Sequence, residues 1–341
     1  MRKARRSGRV TLAEVAREAD VSAITVSRAL RDPEQVSQAT MERIEAAVRK
    51  LGYVPDMAAR ALASRHTNVI GVLIPSVTNN VFSDVLRGIY DALDGTRYHL
   101  QLGNTRYSVL EEENLLRIFL SQRPAGLIVS GTDQSPATRA MLENADCPVV
   151  QIMEIGPDPV DMMVGFSHRE GAKAAVTHLA DAGYRRIAFL GARMDPRTQR
   201  RLQGYEDALR GHGLADPDLV VTTPRASSIT LGGWLLGELL AKRPDVDAVF
   251  CNNDDIALGV LFEAQRRKID VPGKLGICGF NDLEMMASAC PSLTSLRTHR
   301  ETMGREGIHM LIRSIEGDRP DERVVDLGFE LMARESSAGP G

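Results

Sequence analysis

The sequence predicts an α/β protein in which a small all-α domain precedes a larger body of doubly wound parallel sheets. Helical periodicity dominates the first fifty residues, and strand-like runs alternate with amphipathic helices from Asn68 onward. Charge is also divided unequally. Residues 1–66 carry 13 Lys and Arg against 8 Asp and Glu, whereas residues 67–341 carry 29 against 37. A basic head on an acidic body indicates that only the head contacts a polyanion.

The head begins with two short helices joined by a tight turn. Thr11 and Glu14 form a capping box that starts the first helix. Its apolar positions recur at helical spacing at Leu12, Val15, Ala16 and Ala19. Ser22 can cap a second helix from Ala23 to about Leu30, whose outward face carries small, hydroxyl and arginine side chains. This arrangement is typical of a helix-turn-helix that enters the major groove, although an ordinary amphipathic helix pair fits the same residues.

A third helix from about Ser37 to Leu51, ended by Gly52, completes a predicted DNA-binding domain of residues 1–52. Residues 53–66 follow as a hinge or linker. Pro55 and Asp56 within it can begin a helix of about two turns, which is unstable alone in water. We therefore expect this helix to order only against a second subunit, DNA or both. A linker with incidental alanines is the alternative.

The body, residues 67–341, contains nine strand-like runs separated by amphipathic stretches. These runs are 68–75, 99–104, 125–131, 148–152, 161–166, 186–192, 219–222, 247–253 and 274–280. Their alternation predicts two lobes, each built on a parallel sheet. Because ligands of such sheets bind where the strands end, we expect a binding cleft between the lobes.

Several classes of protein are excluded by what the sequence lacks. The four cysteines are Cys147, Cys251, Cys278 and Cys290. They lie far apart without a CxxC pair, as expected for reduced thiols in a cytoplasmic protein. No apolar run approaches the ~18–20 residues of a membrane span, and no secretion signal is evident. The motifs GxGxxG, GxxxxGK[ST], HExxH and GxSxG are absent. We therefore predict no catalytic residue, cofactor or metal site.

Five stretches carry a resemblance to a known family: TLAEVAREADVSAITVSRAL, VSQATMERIEAAVRKLGYVPDMAARALA, NVIGVLIPSVTNNVFSDVLRGI, CNNDDIALG and ICGFND. On these motifs the chain resembles the LacI/GalR family of bacterial repressors over essentially its whole length. It is similar to the gluconate-utilisation repressor branch through LRDPEQVS, LGARMDPRT and VDLGFEL. The resemblance implies a periplasmic-binding-protein-like body. Its N-lobe would take about 67–167 and 298–323, and its C-lobe about 168–297 and 324–341.

The resemblance also implies a DNA-binding surface. The residues at the matching positions are Thr11, Ser22, Ala23, Ile24, Thr25, Ser27, Arg28, Tyr53, Ala59 and Leu62. Ala23 and Ile24 match the two positions that read base edges, where small apolar groups can contact a thymine methyl. Arg28 can donate to guanine or phosphate. Leu62 matches a wedge that enters the minor groove and bends the duplex.

For the cleft, the resemblance implies effector contacts at Ser76, Val81, Phe82, Ser130, Met153, Phe166, Arg201, Asn253 and Asn281. Arg201 can clamp a carboxylate with two parallel hydrogen bonds. It closes a run with Arg193, Arg197 and Arg200, and about two of these four are expected on a solvated helix face. Met153 and Asn281 stand where the family usually has Asp. A cleft with fewer acids fits an anionic sugar.

The resulting expectation is a cytoplasmic, homodimeric repressor of carbohydrate-metabolism genes that binds a palindromic operator. An allosteric effector, a sugar or sugar acid such as gluconate, would control that binding from between the lobes. The C-terminal tail lacks the apolar heptads that would join dimers into tetramers. The alternative is an exported sugar-binding protein, which shares the two-lobed body but lacks the basic head and requires a signal peptide.

Overall fold

The computed structural model describes residues 10–31, 33–54 and 67–340. The chain divides into two compact units, one ending at Thr67 and the other beginning at Asn68. The first has its own hydrophobic core, and the second has cores in both of its lobes. Across these described ranges, no helix is both long and apolar enough to cross a membrane.

The first unit is a three-helix domain. Its helices are α1 (Leu12–Glu18), α2 (Ala23–Arg31) and α3 (Gln38–Leu51), with a 3-10 turn at Pro33–Gln35. Val15, Val26 and Ile44 are fully buried at its centre. Ser37 caps α3, and Gly52 ends it with a left-handed φ of 64°. The predicted helical head and its local stop signals are confirmed.

The second unit contains twelve strands among its described residues. They are β1 (Val69–Ile74), β2 (His99–Asn104), β3 (Gly126–Ser130), β4 (Val149–Ile152), β5 (Met162–Gly165), β6 (Ile187–Ala192), β7 (Val220–Thr223), β8 (Ala248–Cys251), β9 (Gly276–Asn281), β10 (Thr294–Thr298), β11 (Val324–Asp326) and β12 (Phe329–Met332). Two six-stranded sheets result, in the orders β11-β5-β4-β3-β1-β2 and β12-β10-β9-β8-β6-β7. Every neighbouring pair is parallel except β10 with β12. The predicted α/β class is confirmed.

Helices connect and cover these sheets. They are α4 (Asn80–Leu93), α5 (Val109–Ser121), α6 (Pro136–Glu143), α7 (His168–Asp181), α8 (Pro196–His212), α9 (Ile229–Lys242), α10 (Asp254–Arg266), α11 (Glu284–Ser288) and α12 (Arg300–Ile315). Short 3-10 turns lie at Pro217–Leu219 and Glu335–Ser337. The chain completes β1–β5 in one lobe and β6–β10 in the other. It then returns to the first lobe through α12, so each lobe is assembled from separate parts of the chain.

The last crossing of the chain from the first lobe to the second lies later in the sequence than expected. Residues 324–341 were expected in the C-lobe, but Val324 pairs in register with Met163, and β11 therefore belongs to the first sheet. Only from β12 onward does the chain pair in the second sheet. A three-residue strand at a sheet edge gives too short a pattern for its partner to be read from sequence.

Strand β10 was also missed, because its residues TSLRT are mostly polar. Thr294 and Ser295 are nevertheless fully buried. The Thr294 hydroxyl donates to Arg334 O at 3.2 Å, and the Ser295 hydroxyl donates to Asp254 Oδ1 at 2.6 Å. Buried hydroxyls with satisfied hydrogen bonds can occupy a strand that a search for apolar runs passes over.

Candidate DNA-reading surface and effector pocket

In the helical unit, the capping box fixes the start of α1. Thr11 N–H donates to Glu14 Oε2 at 2.8 Å, and Glu14 N–H donates back to Thr11 Oγ1 at 3.4 Å. Asp20 makes the turn with a positive φ of 51°. Ser22 Oγ then accepts from Thr25 N–H at 3.1 Å and starts α2. These local bonds set the angle at which α2 leaves the turn.

Helix α2 divides cleanly into a buried and an exposed face. Val26 and Ala29 are fully buried, whereas Ile24 is 72 % exposed. The other residues expected at DNA on this helix are exposed or half-buried: Ser22, Ala23, Thr25, Ser27 and Arg28. The exposed face of α2 therefore carries the side chains that were expected to meet DNA, with Ile24 among them.

The remaining DNA-binding candidates are placed differently. Thr11 is exposed at the start of α1. Tyr53 is only 9 % exposed and packs in the core of the helical unit, away from the exposed face of α2. Ala59 and Leu62, with the predicted hinge helix, lie outside the described residues.

In the body, a cavity of about 220 Å³ lies at the carboxyl ends of β1, β4, β6, β8 and β9. Parallel strands of both sheets end here, as expected for the ligand cleft of an α/β protein. Seven of the nine candidate effector residues line it: Ser76, Val81, Phe82, Met153, Arg201, Asn253 and Asn281. Ser130 instead lines an adjoining cavity of about 130 Å³, where its Oγ accepts from Arg197 at 3.3 Å. Phe166 is fully buried behind the lining.

Arg201 projects from α8 and is 7 % exposed. Its Nη1 donates to Asn252 O, its Nε lies 3.3 Å from His168 Nδ1, and its guanidinium carbon lies 3.9 Å from the centre of the Phe280 ring. Burial lowers the pKa of Arg201 to about 10, partly opposed by Asp195, so the group stays charged at neutral pH. Within the described part of the chain it forms no ion pair. A buried cation of this kind, without a direct ion-pair partner, favours an anionic ligand.

Two asparagines add hydrogen-bonding groups. Asn281 ends β9 with φ 115°, and its Oδ1 is buried without a hydrogen-bond partner among the described residues. Asn253 caps α10 by accepting from Ile256 N–H at 3.1 Å, and its Nδ2 donates to Ser227 Oγ at 2.7 Å. Ligand hydroxyl groups can therefore donate to Asn281 and exchange bonds with Asn253 and Ser227.

The other arginines of the run also face inward, so the expectation of a solvated face for two of them is wrong. Arg193 lies over the Tyr107 ring at 3.9 Å, and Arg197 lines the same cavity. Arg200 crosses to the other lobe, where it makes two 2.7 Å bonds to Asp133. All three of these side chains are half-buried.

The cavity is less poor in acids than expected. Asp195 and Asp255 both line it. Burial favours the neutral form of Asp195, but the charge of Arg197 and the Thr198 N–H outweigh it and lower the pKa of Asp195. Burial raises the pKa of Asp255. With three lining arginines against two aspartates, the cavity still carries an excess of positive groups.

Two contributors to the site were missed. Tyr107 lies in a loop after β2, where its hydroxyl accepts from Asn79 Nδ2 at 3.3 Å and its ring carries Arg193. Arg300 holds Asp84 on α4 at 2.8 Å and also donates to the backbone oxygen of Asn281 on the second sheet. It therefore ties the two lobes beside the cavity. No local pattern in the sequence marks either residue.

Comparisons with known proteins agree with this architecture. Residues 11–56 match the family model for bacterial regulatory proteins of the lacI family, and residues 176–337 match a periplasmic binding protein-like domain. The HTH-type transcriptional regulator GntR of Pseudomonas aeruginosa is 43 % identical over 98 % of this chain and 97 % of its own length. The chain belongs to the LacI family.

Solved structures of this family have the same fold. A LacI-family transcriptional regulator from Silicibacter pomeroyi is 36 % identical, with a TM-score of 0.90 over 96 % of this chain and 99 % of that one. The lac repressor dimer bound to operator and an anti-inducer is 25 % identical, with a TM-score of 0.79 over 97 % and 99 % of the two chains. This LacI-family chain is a DNA-binding transcriptional repressor and not an enzyme.

Proposed function

We propose that this LacI-family repressor binds a palindromic operator as a homodimer in the cytoplasm. We further propose that a sugar acid, gluconate or a related aldonate, binds in the 220 Å³ cavity and releases the operator. The observation that carries the proposal is Arg201, a buried guanidinium with no ion pair among the described residues. A carboxylate would supply the missing negative charge with two parallel hydrogen bonds.

The remainder of the cavity suits a chain of hydroxyl groups. Asn281 offers an unpartnered acceptor, while Asn253 and Ser227 can both donate and accept. Asp255, two residues after Asn253, supplies a further acceptor in the lining. An open-chain aldonate has one carboxylate and several hydroxyls, and so matches both parts of this lining.

On the DNA side, the exposed face of α2 suits the major groove. Ala23 and Ile24 can contact thymine methyl groups but donate no hydrogen bond to a base edge. Arg28 can donate to guanine or phosphate. Because a single α2 reads one half-site, a palindromic operator requires two copies related by a two-fold axis.

Exposed apolar side chains on the body support a dimer. Helices α9 and α10 pack against each other, yet each presents a large apolar side chain to solvent. Trp234 on α9 is 46 % exposed, and Phe262 on α10 is 45 % exposed. Large exposed apolar groups of this kind are typical of interfaces. The lac repressor structure, which is a dimer on its operator, offers the corresponding precedent.

Calorimetry against gluconate, other aldonates and neutral sugars tests the effector assignment. Arg201→Ala should weaken gluconate binding by about 10²- to 10⁴-fold, because two hydrogen bonds to a charged group contribute about 1.5–3 kcal/mol each. Arg201→Lys keeps the charge but loses the planar fork, so it should have an intermediate effect.

Arg210→Ala is the matched control, since Arg210 lies on the same helix with its side chain 69 % exposed. It should leave gluconate affinity unchanged. The proposal fails if Arg201→Ala binds gluconate as tightly as the parent protein, or if the parent binds only neutral sugars.

A further inference from the structure

A histidine lies directly behind Arg201, outside the lining of the effector cavity. His168 is the first residue of α7, and its side chain is fully buried. Its ring packs edge-on against Phe166, with centres 4.4 Å apart, and lies 5.8 Å from the Phe280 ring. Its Nδ1 faces two nitrogens of Arg201, Nε at 3.3 Å and Nη2 at 3.2 Å. One imidazole nitrogen therefore holds one edge of the guanidinium.

This contact fixes the protonation state of the ring. A guanidinium has only donors, so His168 Nδ1 must accept, and the ring proton must sit on Nε2. Nε2 is buried without a hydrogen-bond partner among the described residues. Burial, followed by the charges of Arg201, Arg197 and Arg200, holds the pKa of His168 well below its ordinary value. The imidazole is therefore neutral whenever it contacts Arg201.

A neutral acceptor has a different effect from a carboxylate. An aspartate or glutamate in this place would orient Arg201 but would also cancel its charge. The imidazole orients the guanidinium without placing a further negative charge beside it. Asn252 O holds Nη1 in the same way, again without charge. Two neutral acceptors, His168 Nδ1 and Asn252 O, thus hold the guanidinium in place.

We propose that His168 is a positioning residue that makes the effector cavity selective for a carboxylate over a neutral group. It does so by aiming the Arg201 guanidinium without neutralising it. This inference rests on the proposed function of Arg201 as the ligand arginine. It assigns to His168 no contact with the ligand, because the ring lies behind the lining.

The test compares two ligands of the same shape and different charge. Gluconate and its uncharged amide, gluconamide, are titrated by calorimetry into the parent protein and three full-length variants. His168→Leu removes the acceptor, and His168→Gln restores one through its amide oxygen. His178→Leu is the control, because it makes the same substitution on the same helix at a histidine that contacts Ser337 Oγ instead of Arg201. Operator binding without ligand checks that each variant is folded.

His168→Leu should lower gluconate affinity roughly tenfold while changing gluconamide affinity much less, because Arg201 loses its orientation. His168→Gln should recover most of the preference for gluconate. His178→Leu should leave the ratio of the two affinities unchanged. An unchanged ratio of the two affinities in His168→Leu, or an equal loss of both, overturns the inference while leaving the proposed function intact.

A parent protein that does not bind gluconate overturns the proposed function and this inference together. If His168→Leu fails to fold, the ¹⁵N chemical shifts of His168 in the parent protein test the inference instead. These shifts report which ring nitrogens carry a proton. A neutral ring with its proton on Nε2 at pH 6, below the ordinary histidine pKa of about 6.5, supports the inference. A doubly protonated ring, or a proton on Nδ1, refutes it.

Discussion

Glu154 is a buried carboxyl group whose replacement by glutamine should change how stability depends on pH. It follows β4 and is 3 % exposed. Its Oε1 accepts from Ile155 N–H at 3.2 Å, while Oε2 lies 3.5 Å from Arg200 Nε and has no hydrogen-bond partner among the described residues. Burial raises the pKa of Glu154 to about 7, because the charge of Arg200 and the backbone N–H donors do not compensate for the loss of water.

The raised pKa sets the direction of the effect. In the unfolded chain the carboxyl ionises near its ordinary pKa of about 4.3, whereas in the folded protein it keeps its proton up to about 7. The folded state therefore binds this proton more tightly. Its contribution to stability is fully present below the unfolded pKa and is lost as the pH rises to about 7. The loss amounts to about 4 kcal/mol at most, since one pKa unit corresponds to about 1.4 kcal/mol.

Glu154→Gln replaces the ionisable carboxyl group with a neutral amide. The variant should therefore not lose stability at this position as the pH rises. The free energy of unfolding, measured by urea denaturation at pH 5 and pH 8, should differ little from the parent at pH 5. At pH 8 the variant should be more stable by about 1–3 kcal/mol, since ionisation of the buried carboxyl destabilises the parent protein and the glutamine amide does not ionise. Glu206→Gln, on the exposed face of α8, is the control. A difference that is independent of pH, or a variant less stable at pH 8, would refute this reasoning.

Two further predictions concern the DNA-reading surface and helix packing. Substituting Ala23 and Ile24 together should change which operator is preferred in a selection from a randomised operator library. The discrimination between operators should shift by about 1–3 kcal/mol per altered base contact. A uniform loss of affinity for all operators would place these residues away from base edges. Gly204→Ala should lower the free energy of unfolding by about 1–3 kcal/mol, because the added Cβ would lie 2.1 Å from Arg169 O. Gly211→Ala on the same helix, where the added Cβ meets nothing within 4 Å, should not destabilise the protein.

The features that sequence predicted well depend on neighbouring residues. The capping box of Thr11, the cap at Ser37 and the glycine stop at Gly52 all act within one or two turns, and each is present. The strands with long apolar runs were placed to within a few residues for the same reason. Strands β10, β11 and β12 were missed because they are polar or very short, and only their sheet partners stabilise them.

The cavity was predictable where polar residues follow strands. Asn253 lies just past the end of β8, and Asn281 is the last residue of β9. Both line the cavity. Tyr107 and Arg300 were not predictable, since one depends on a loop conformation and the other pairs with Asp84, 216 residues away in sequence. The Arg201–His168 contact likewise joins helices whose packing the sequence does not specify locally.

We propose that gluconate, bound at Arg201, releases this repressor from its operator. Fluorescence anisotropy of labelled operator, titrated with protein at fixed ionic strength with and without gluconate, measures this directly. Gluconate should weaken operator binding by the parent protein, and operator should weaken gluconate binding by the same factor. Arg201→Ala should bind operator as the parent does and should no longer respond. Operator affinity that gluconate leaves unchanged or strengthens in the parent, or lowers equally in Arg201→Ala, would contradict the claim.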